Sequence, residues 1–463
     1  MIKCTGSCSS CRRCNHAEHI DEVNNRKAKL FVFPEDFAAD TVAGKGVAFD
    51  IGTTTVAGML WDMQRGKLLA ANAVTNPQNE YGMDVISRIA YCGKSSKKLK
   101  ELKDKIIECL NGLIKKMCSE SGCSPDEIIR VTICGNTTMS HIAAGFSPES
   151  LAVAPFIPAY SGMLQIKAIE AGLVLAPSAD MLFLPNIAGH VGGDITAGAV
   201  AARVLEQETL TLFIDIGTNG EMVLSDGNTA YACSTAAGPA FEGASIEYGM
   251  RAARGAIEKV WIENGNVFFR TIGEAKAQGI CGSGLIDAIA QMLDAGLINK
   301  KGRLISAETA IKNGLPEELA ARLTDFEGKR AFVLAAGEAG ENIVVTQNDI
   351  REVQLAKGAV AAGVGIMLDR VGKNVEDIDR IIVAGAFGSY IDKASAVRIG
   401  LLPQTELSKI VSAGNAAGAG VLMALASEAE LKTAKQLPQK IRHIDLAAEK
   451  SFQKTYMKNM LFD

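Results

Sequence analysis

Two stretches of alternating apolar residues share an identical tip. Residues 47–62 and 212–226 each begin with an apolar run, continue through the four residues DIGT and resume with a second alternating run. Two strands joined by a short glycine-containing turn form a β-hairpin. The pattern therefore predicts two hairpins, each with DIGT at its tip.

Two further pairs of segments follow the hairpins in the same order. Residues 126–138 and 377–389 are apolar strands ending in a glycine that opens a helix. Residues 192–205 and 413–426 are helices of small residues that can pack closely. Three matched elements in one order indicate an internal duplication. We therefore predict an α/β fold with two related lobes that face each other across a cleft.

The spacing of the matched elements sets the predicted domain organisation. Asp50 and Gly135 are 85 positions apart, whereas Asp215 and Gly385 are 170 positions apart, so the second lobe carries a glycine-rich insertion of about 85 residues. The predicted units are a cysteine-rich loop (1–20), a linker (21–45), lobe I (46–210), lobe II with its insertion (211–428) and a strand–helix extension (429–463).

Composition and charge narrow the class of protein. The 463 residues are 48% hydrophobic and 22% charged, which excludes a disordered chain. A net charge of −4 gives no indication of a nucleic-acid-binding surface. The apolar run 416–426 is far shorter than the roughly 20 residues of a membrane span, and the N-terminus has no apolar stretch of the signal-peptide type. We expect a cytoplasmic protein without a nucleic-acid or membrane partner.

Four of the 11 cysteines, Cys4, Cys8, Cys11 and Cys14, form a C-x3-C-x2-C-x2-C cluster with Gly and Ser between them. Thiolates at this spacing can bind one zinc ion or one iron–sulfur cluster, and a reducing cytosol disfavours disulfides. The spacing leaves both metals open. The remaining cysteines are scattered singly, and we predict that they are reduced, buried thiols.

The two DIGT tips have the chemistry of a phosphate site. Glycine lets backbone N–H groups approach an anion, and threonine hydroxyls add donors. Asp50 and Asp215 end apolar strands, where a buried carboxylate is costly unless it faces a cation such as Mg²⁺. DIGT could be merely a turn, but its recurrence at equivalent places favours two tips that grip a polyphosphate from both sides.

Three further features are assigned to the same cleft. The small residues of VAGAFG, 383–388, would let a nucleoside lie on the turn, with simple helix–strand packing as the alternative. Asp194 opens a helix, where a carboxylate is an ordinary N-cap; because that helix should enter the cleft, Asp194 could also orient an attacking water, and the two roles are compatible. The polar loop after the first hairpin fits either a turn or a cleft lining; its residues are Asn76, Pro77, Gln78 and Tyr81.

Together these motifs resemble the superfamily of sugar kinases, heat-shock 70 chaperones and actin. Over about residues 46–427 the chain closely resembles the ATP-dependent reductive activators of corrinoid proteins, through the strings FDIGTTTVAG, NPQNEYGMDVISRI, GNTTMSH, LPNIAGHVGGDITAG, IDIGTNGE, AAGPAFEGA, ICGSGLID, QLAKGA and VAGAFGSYID. The resemblance implies two duplicated actin-like, ribonuclease H-like ATPase lobes. It also implies that the partner is the corrinoid protein of a methyl-transfer system. The cobalt of this partner would be reduced from Co(II) to Co(I) with ATP and a low-potential electron donor. Members of the family often dimerise.

The resemblance also implies ligands and site residues. ATP and Mg²⁺ are the implied ligands, and Asp50, Asp194 and Asp215 are the implied catalytic residues. The implied cofactor-binding residues are Gly52, Thr53, Thr54, Gly217, Thr218, Asn219, Gly238, Gly282, Ser283, Gly385, Ala386, Phe387 and Gly388.

One departure concerns the N-terminus. Family members typically carry a complete ferredoxin-like domain with a 2Fe–2S cluster, whereas only about 45 residues precede lobe I here. We therefore expect the four-cysteine loop to hold a smaller iron–sulfur cluster, 4Fe–4S, with zinc as the alternative. With zinc, the protein would be an ATPase that remodels a corrinoid partner and relies on an external electron donor. The same motifs would also suit a small-molecule kinase of the superfamily or a non-catalytic scaffold.

Overall fold

The structure, a computed structural model, describes residues 31–337, 340–388 and 390–462. The predicted metal loop at Cys4, Cys8, Cys11 and Cys14 lies outside these residues. The described strands are β1 (Lys45–Ile51), β2 (Thr55–Asp62), β3 (Lys67–Thr75), β4 (Ile128–Gly135), β5 (Leu164–Lys167), β6 (Asp180–Phe183), β7 (Thr211–Ile216), β8 (Gly220–Ser225), β9 (Ala230–Thr235), β10 (Ala256–Glu263), β11 (Asn266–Thr271), β12 (Gly279–Ile280), β13 (Leu323–Phe326), β14 (Lys329–Ala336), β15 (Asn342–Thr346), β16 (Arg380–Ala384), β17 (Ile410–Gly414) and β18 (Ile441–His443).

Helices connect and cover these strands. In the described part of the chain they are α1 (Val85–Cys92), α2 (Ser96–Ser121), α3 (Thr137–Ala144), α4 (Ala168–Ala171), α5 (Gly193–Ala201), α6 (Gly282–Asp294), α7 (Ala307–Lys312), α8 (Glu317–Ala320), α9 (Gln347–Val371), α10 (Gly385–Gly388), α11 (Lys393–Arg398), α12 (Ala416–Ala426), α13 (Glu428–Lys440) and α14 (Phe452–Asn459).

Two six-stranded mixed sheets form the centres of the two lobes. Their strand orders are β3-β2-β1-β4-β6-β5 and β17-β16-β7-β8-β9-β18. In each sheet an antiparallel hairpin, β1–β2 or β7–β8, lies beside a parallel strand, β4 or β16, that comes later in the chain. The same arrangement in both sheets confirms the predicted duplicated α/β fold, with a DIGT tip on each hairpin.

The central strands are apolar on both faces because helices or the other lobe cover each side. Along β1, Val47, Phe49 and Ile51 pack into one apolar cluster, while Ala48 packs into another. The helix α2 covers the first of these clusters with a stripe of buried apolar residues. It begins after a Ser95 cap and ends at Gly122, whose φ of +70° favours glycine.

The insertion in lobe II forms two three-stranded sheets, in the orders β11-β10-β12 and β13-β14-β15. It also contributes α6, which packs on β10. After α12, the chain continues through α13 into β18, which pairs in parallel with β9, and α14, which packs against α9.

The small-residue helices α5 and α12 pack against each other between the lobes. A methyl group at Gly420 would lie 1.8 Å from the carbonyl oxygen of Ala197, so only glycine permits this approach. The predicted close packing of the two helices is therefore present. Because Asp194 lies in the first turn of α5, this packing fixes its carboxylate at the cleft.

Seven cysteines lie in the described part of the chain, and all are free thiols. Five are buried, as predicted, but Cys109 and Cys123 are only half-buried. Among the described helices, none combines the length and the apolar composition needed to cross a membrane.

Candidate functional site

The tip of the first hairpin is fixed by side chains from two neighbouring elements. Asn76 Nδ2 donates to the carbonyl oxygen of Gly52 at 2.8 Å, and its Oδ1 accepts from the backbone N–H of Gln78. Asn136, at the end of β4, donates to the hydroxyl of Thr53 at 2.9 Å. Asn76 therefore fits the interpretation of its loop as a turn, and its fully buried side chain supports the tip from behind.

Arg88 supports the same tip from beneath. The string NPQNEYGMDVISRI contains this residue, but it was not among the predicted site residues. The side chain is fully buried and donates to the carbonyl oxygen of Thr53 at 2.6 Å and to that of Gly82 at 2.9 Å. It also donates to Asn79 and Gln78, and it makes no ion pair with any described residue. Burial lowers the pKa of Arg88 to about 10. A buried guanidinium thus holds the phosphate-type tip in place.

The tip of the second hairpin lies against the turn that follows β16. The backbone N–H of Gly217 donates to the carbonyl oxygen of Asn219 at 2.9 Å and closes the tip. Gly385 has a φ of +91°, and a methyl group there would lie 2.7 Å from Asp215 Oδ1 and 2.8 Å from the carbonyl oxygen of Ile216. The strand-end glycine is thus required for direct contact between this turn and Asp215.

The three predicted catalytic aspartates come together in the cleft. Burial, together with the nearby charges of Asp194 and Asp215, raises the pKa of Asp50 to about 7. Burial also raises the pKa of Asp215 to about 7, with Asp194 adding to the effect, and that of Asp194 to about 6. Glu221 of β8 is a fourth member that was not predicted from the sequence, and burial raises its pKa well above the ordinary value. The cleft therefore concentrates four carboxyl groups in a desolvated place, where their charged forms are disfavoured unless a cation is present.

This carboxylate cluster fits a divalent cation. None of its members forms an ion pair with a lysine or arginine of the described residues, so the charge lacks a protein counterion there. Among the same residues, no three His, Cys, Asp or Glu side chains converge at metal-ligand distances. Mg²⁺ usually keeps several of its water ligands. Asp50, Asp194 and Asp215 are the residues that could hold such an ion through its water ligands.

Three further groups hold the cluster in position. Cys134 Sγ, at the end of β4, donates to Asp50 Oδ1 at 3.8 Å, and Asn415 lowers the pKa of Asp50 through a hydrogen bond. Asp194 Oδ1 accepts from the backbone N–H of Ile195 at 2.9 Å. The N-cap position of α5 belongs to Gly192, so the prediction that Asp194 caps its helix is wrong. Its charge instead acts on Asp50, Asp215 and Glu221 and raises the pKa of each.

Glu242 joins the two hairpin tips across the cleft. It ends the 3-10 turn Pro239–Glu242, and its Oε1 accepts from the hydroxyl of Thr218 at 2.5 Å. Its Oε2 accepts from the hydroxyl of Thr54 at 3.3 Å. The string AAGPAFEGA contains this residue. A phosphate site is expected to carry positive charge, so this acid was not among the predicted site residues.

The remaining predicted residues lie around this centre. Gly238, with a φ of +78°, precedes the Glu242 turn. Gly282 and Ser283 begin α6, which packs against that turn, so they lie one element behind the tips. Ala386 and Phe387 belong to α10, which ends at the buried Gly388.

Two models of known protein families match the chain, one over each lobe. A family model described as the RACo middle region matches residues 45–207, and one described as the C-terminal domain of RACo, the ASKHA domain, matches residues 209–463. The second match alone spans more than half of the chain. The chain belongs to the RACo family. Its fold is accordingly the two-lobed, actin-like ASKHA fold that the sequence predicted.

Individual RACo relatives agree with this assignment. The corrinoid activation enzyme RamQ of Eubacterium limosum is 38% identical over 420 residues, covering 90% of this chain and 70% of the relative. The Co(II) methylated amine-specific corrinoid protein reductase of Methanosarcina barkeri is 25% identical over 454 residues, covering 89% and 76%. A solved structure of a reductive activator for a corrinoid, iron-sulfur protein superposes with a TM-score of 0.79 at 36% identity, covering 92% of this chain and 67% of that one.

Proposed function

We propose that this protein is an ATP-dependent enzyme that reduces the cobalt of an inactive corrinoid protein from Co(II) to Co(I). One observation carries the proposal: two phosphate-type tips and three carboxylates meet in one cleft of a chain that is 38% identical to a corrinoid activation enzyme. The names of the relatives supply the partner, and the ASKHA fold supports ATP as the nucleotide.

Each part of the cleft has a role in this proposal. The N–H and hydroxyl groups of 52–54 and 217–219 bind the phosphates, and the turn 385–388 receives the adenosine. When bound, Mg²⁺ neutralises phosphate charge. Asp194 holds the attacking water and accepts its proton, for which a pKa raised to about 6 is suitable near neutral pH.

ATP is needed because the electron moves uphill. Each ~60 mV against a one-electron couple costs about 1.4 kcal/mol. Closure of the two lobes around the nucleotide would offset this cost by changing the surroundings of the bound corrinoid. We propose that the electron comes from a low-potential donor through an iron–sulfur cluster at Cys4, Cys8, Cys11 and Cys14, on the strength of their spacing.

ATP turnover with candidate second substrates tests this function. We expect a purified corrinoid protein from a methyl-transfer system to stimulate ATP hydrolysis, and we expect Asp50→Ala and Asp215→Ala to abolish it. Asp104→Ala, which removes an exposed carboxylate of α2, is the matched control. Stimulation by a sugar or a small acid, with phosphate transferred to it, would instead establish a kinase. Unchanged corrinoid activation in both cleft variants would establish a scaffold.

The metal at the N-terminal cysteines needs its own test. We expect protein purified without oxygen to contain iron and sulfide and to give the EPR signal of a reduced cluster. A colourless protein containing zinc would support the alternative, an ATPase that remodels the corrinoid partner while another protein supplies the electron.

A further inference from the structure

Glu242 occupies hydrogen-bond donors that a bound phosphate would need. The hydroxyls of Thr54 and Thr218, one from each lobe, both donate to its carboxylate. Each hydroxyl has a single hydrogen, which it can give to one acceptor at a time. A carboxylate and a phosphate are both anionic acceptors with several oxygens. They therefore compete for the same two hydroxyls.

The turn that carries Glu242 is anchored in lobe II. Phe241, the preceding residue, is 3% exposed and packs in the apolar cluster of lobe II, whereas Glu242 itself is half-buried. Gly238 and Gly243 flank the turn, each with a φ of +78°. The backbone of the turn is thus held by lobe II, and the side chain of its last residue, Glu242, reaches the tip of lobe I.

The contact is also a direct link between the lobes at the cleft. Thr54 belongs to the β1–β2 tip and Thr218 to the β7–β8 tip, so a carboxylate bound to both holds the tips at a fixed separation. A polyphosphate that replaced it would carry more negative charge and more acceptor oxygens. Leaving Glu242 in place would then set like charges side by side, which is unfavourable in a partly desolvated cleft.

We propose that Glu242 is a built-in competitor of the nucleotide phosphates: it clamps the two tip hydroxyls across the cleft and gives them up when a nucleoside triphosphate binds. The proposal rests on the nucleotide site of the proposed function and adds a residue that sets nucleotide affinity. Exchange of Glu242 for phosphate oxygens couples nucleotide binding to the relative position of the lobes.

Nucleotide affinity of Glu242 variants tests the proposal. A non-hydrolysable ATP analogue is titrated with Mg²⁺ into the full chain in a calorimeter, and the heats of binding give the dissociation constant. Glu242→Gln keeps the size of the side chain and removes its charge, so we expect binding about tenfold tighter than in the wild type. Glu242→Asp is one methylene shorter and is expected to bind more tightly too, because it does not span both tips.

Controls separate this role from others. Glu263→Gln removes an exposed carboxylate from β10 of the same insertion, and its affinity is expected to stay within twofold of the wild type. Thermal unfolding shows that each variant is folded, and Glu242→Asp carries the test if Glu242→Gln is not. Equal or weaker binding in the folded Glu242 variants would overturn the competitor role. Absence of binding in the wild type would instead overturn the nucleotide site itself.

Discussion

Replacing Gly385 with alanine is expected to disrupt nucleotide binding far more than it disrupts the fold. The new methyl group would lie 2.7 Å from Asp215 Oδ1 and 2.8 Å from the carbonyl oxygen of Ile216, at a φ of +91°. Carbon and oxygen do not approach so closely without a shift. A rotamer change can move the carboxylate but not the carbonyl, so the backbone of the second tip has to move.

Two contributions to the effect can be separated. A non-glycine residue at positive φ costs roughly 1–2 kcal/mol of stability. Gly314→Ala isolates this strain, because its φ is +79° and no atom of the described residues lies within 4 Å of the new methyl group. Gly385→Ala adds displacement of Asp215 and of its tip. This displacement of a cleft carboxylate is expected to weaken nucleotide binding at least tenfold, or by about 1.4 kcal/mol.

Calorimetric titration of an ATP analogue with Mg²⁺ measures the nucleotide affinity of each variant, and urea unfolding measures its free energy of unfolding. We expect similar losses of stability from backbone strain in both variants, with a further loss in Gly385→Ala, and a loss of affinity in Gly385→Ala alone. Wild-type affinity in Gly385→Ala would refute the argument that this turn positions Asp215. Equal loss of affinity in Gly314→Ala would show that general destabilisation is responsible.

Three other outcomes follow from the site and its packing. The pKa values of the cleft aspartates are raised to about 6 and 7, so the folded protein holds protons that the unfolded chain releases. The unfolding free energy of the nucleotide-free protein should therefore fall between about pH 4 and pH 7, less steeply in Asp215→Asn; urea titrations at several pH values check the sign. Arg88→Lys loses the forked hydrogen bonds beneath the first tip and should cost about 3 kcal/mol in urea unfolding, whereas Arg65→Lys, whose side chain is 80% exposed, should cost almost nothing. Gly420→Ala places a methyl group 1.8 Å from a carbonyl oxygen and should unfold the protein at a much lower temperature; Gly112→Ala, with open space among the described residues, should stabilise it by about 1 kcal/mol.

Much of the fold could be predicted because the internal duplication places each structural pattern in the sequence twice. The two hairpins, the strand-end glycines and the small-residue helices each occur twice, and their local patterns require nothing from distant parts of the chain. Asp50 and Asp215 were identifiable because a carboxylate is anomalous at the end of an apolar strand. Asp194 was identifiable because its helix was expected to enter the cleft, although a carboxylate at a helix start is ordinary.

Residues that depend on long-range contacts could not be predicted in this way. Arg88 lies on a short helix where a charged side chain normally faces water, and nothing local shows that its partner is a carbonyl of the first tip. Glu221 is a single acid in an otherwise apolar strand, next to the DIGT tip, and this signal was available. Glu242 meets its two threonine partners only because the lobes face each other, with 188 positions between it and Thr54.

The central claim is that ATP drives reduction of a corrinoid protein, and one spectroscopic measurement tests it most directly. A candidate corrinoid protein in the Co(II) state is mixed without oxygen with this protein and a low-potential reductant, and the visible spectrum is followed with and without ATP and Mg²⁺. We predict that the Co(I) spectrum appears only when both are present, and not with the Asp215→Ala variant. Equal Co(I) formation without ATP, or none with ATP and Mg²⁺ present, would contradict the account.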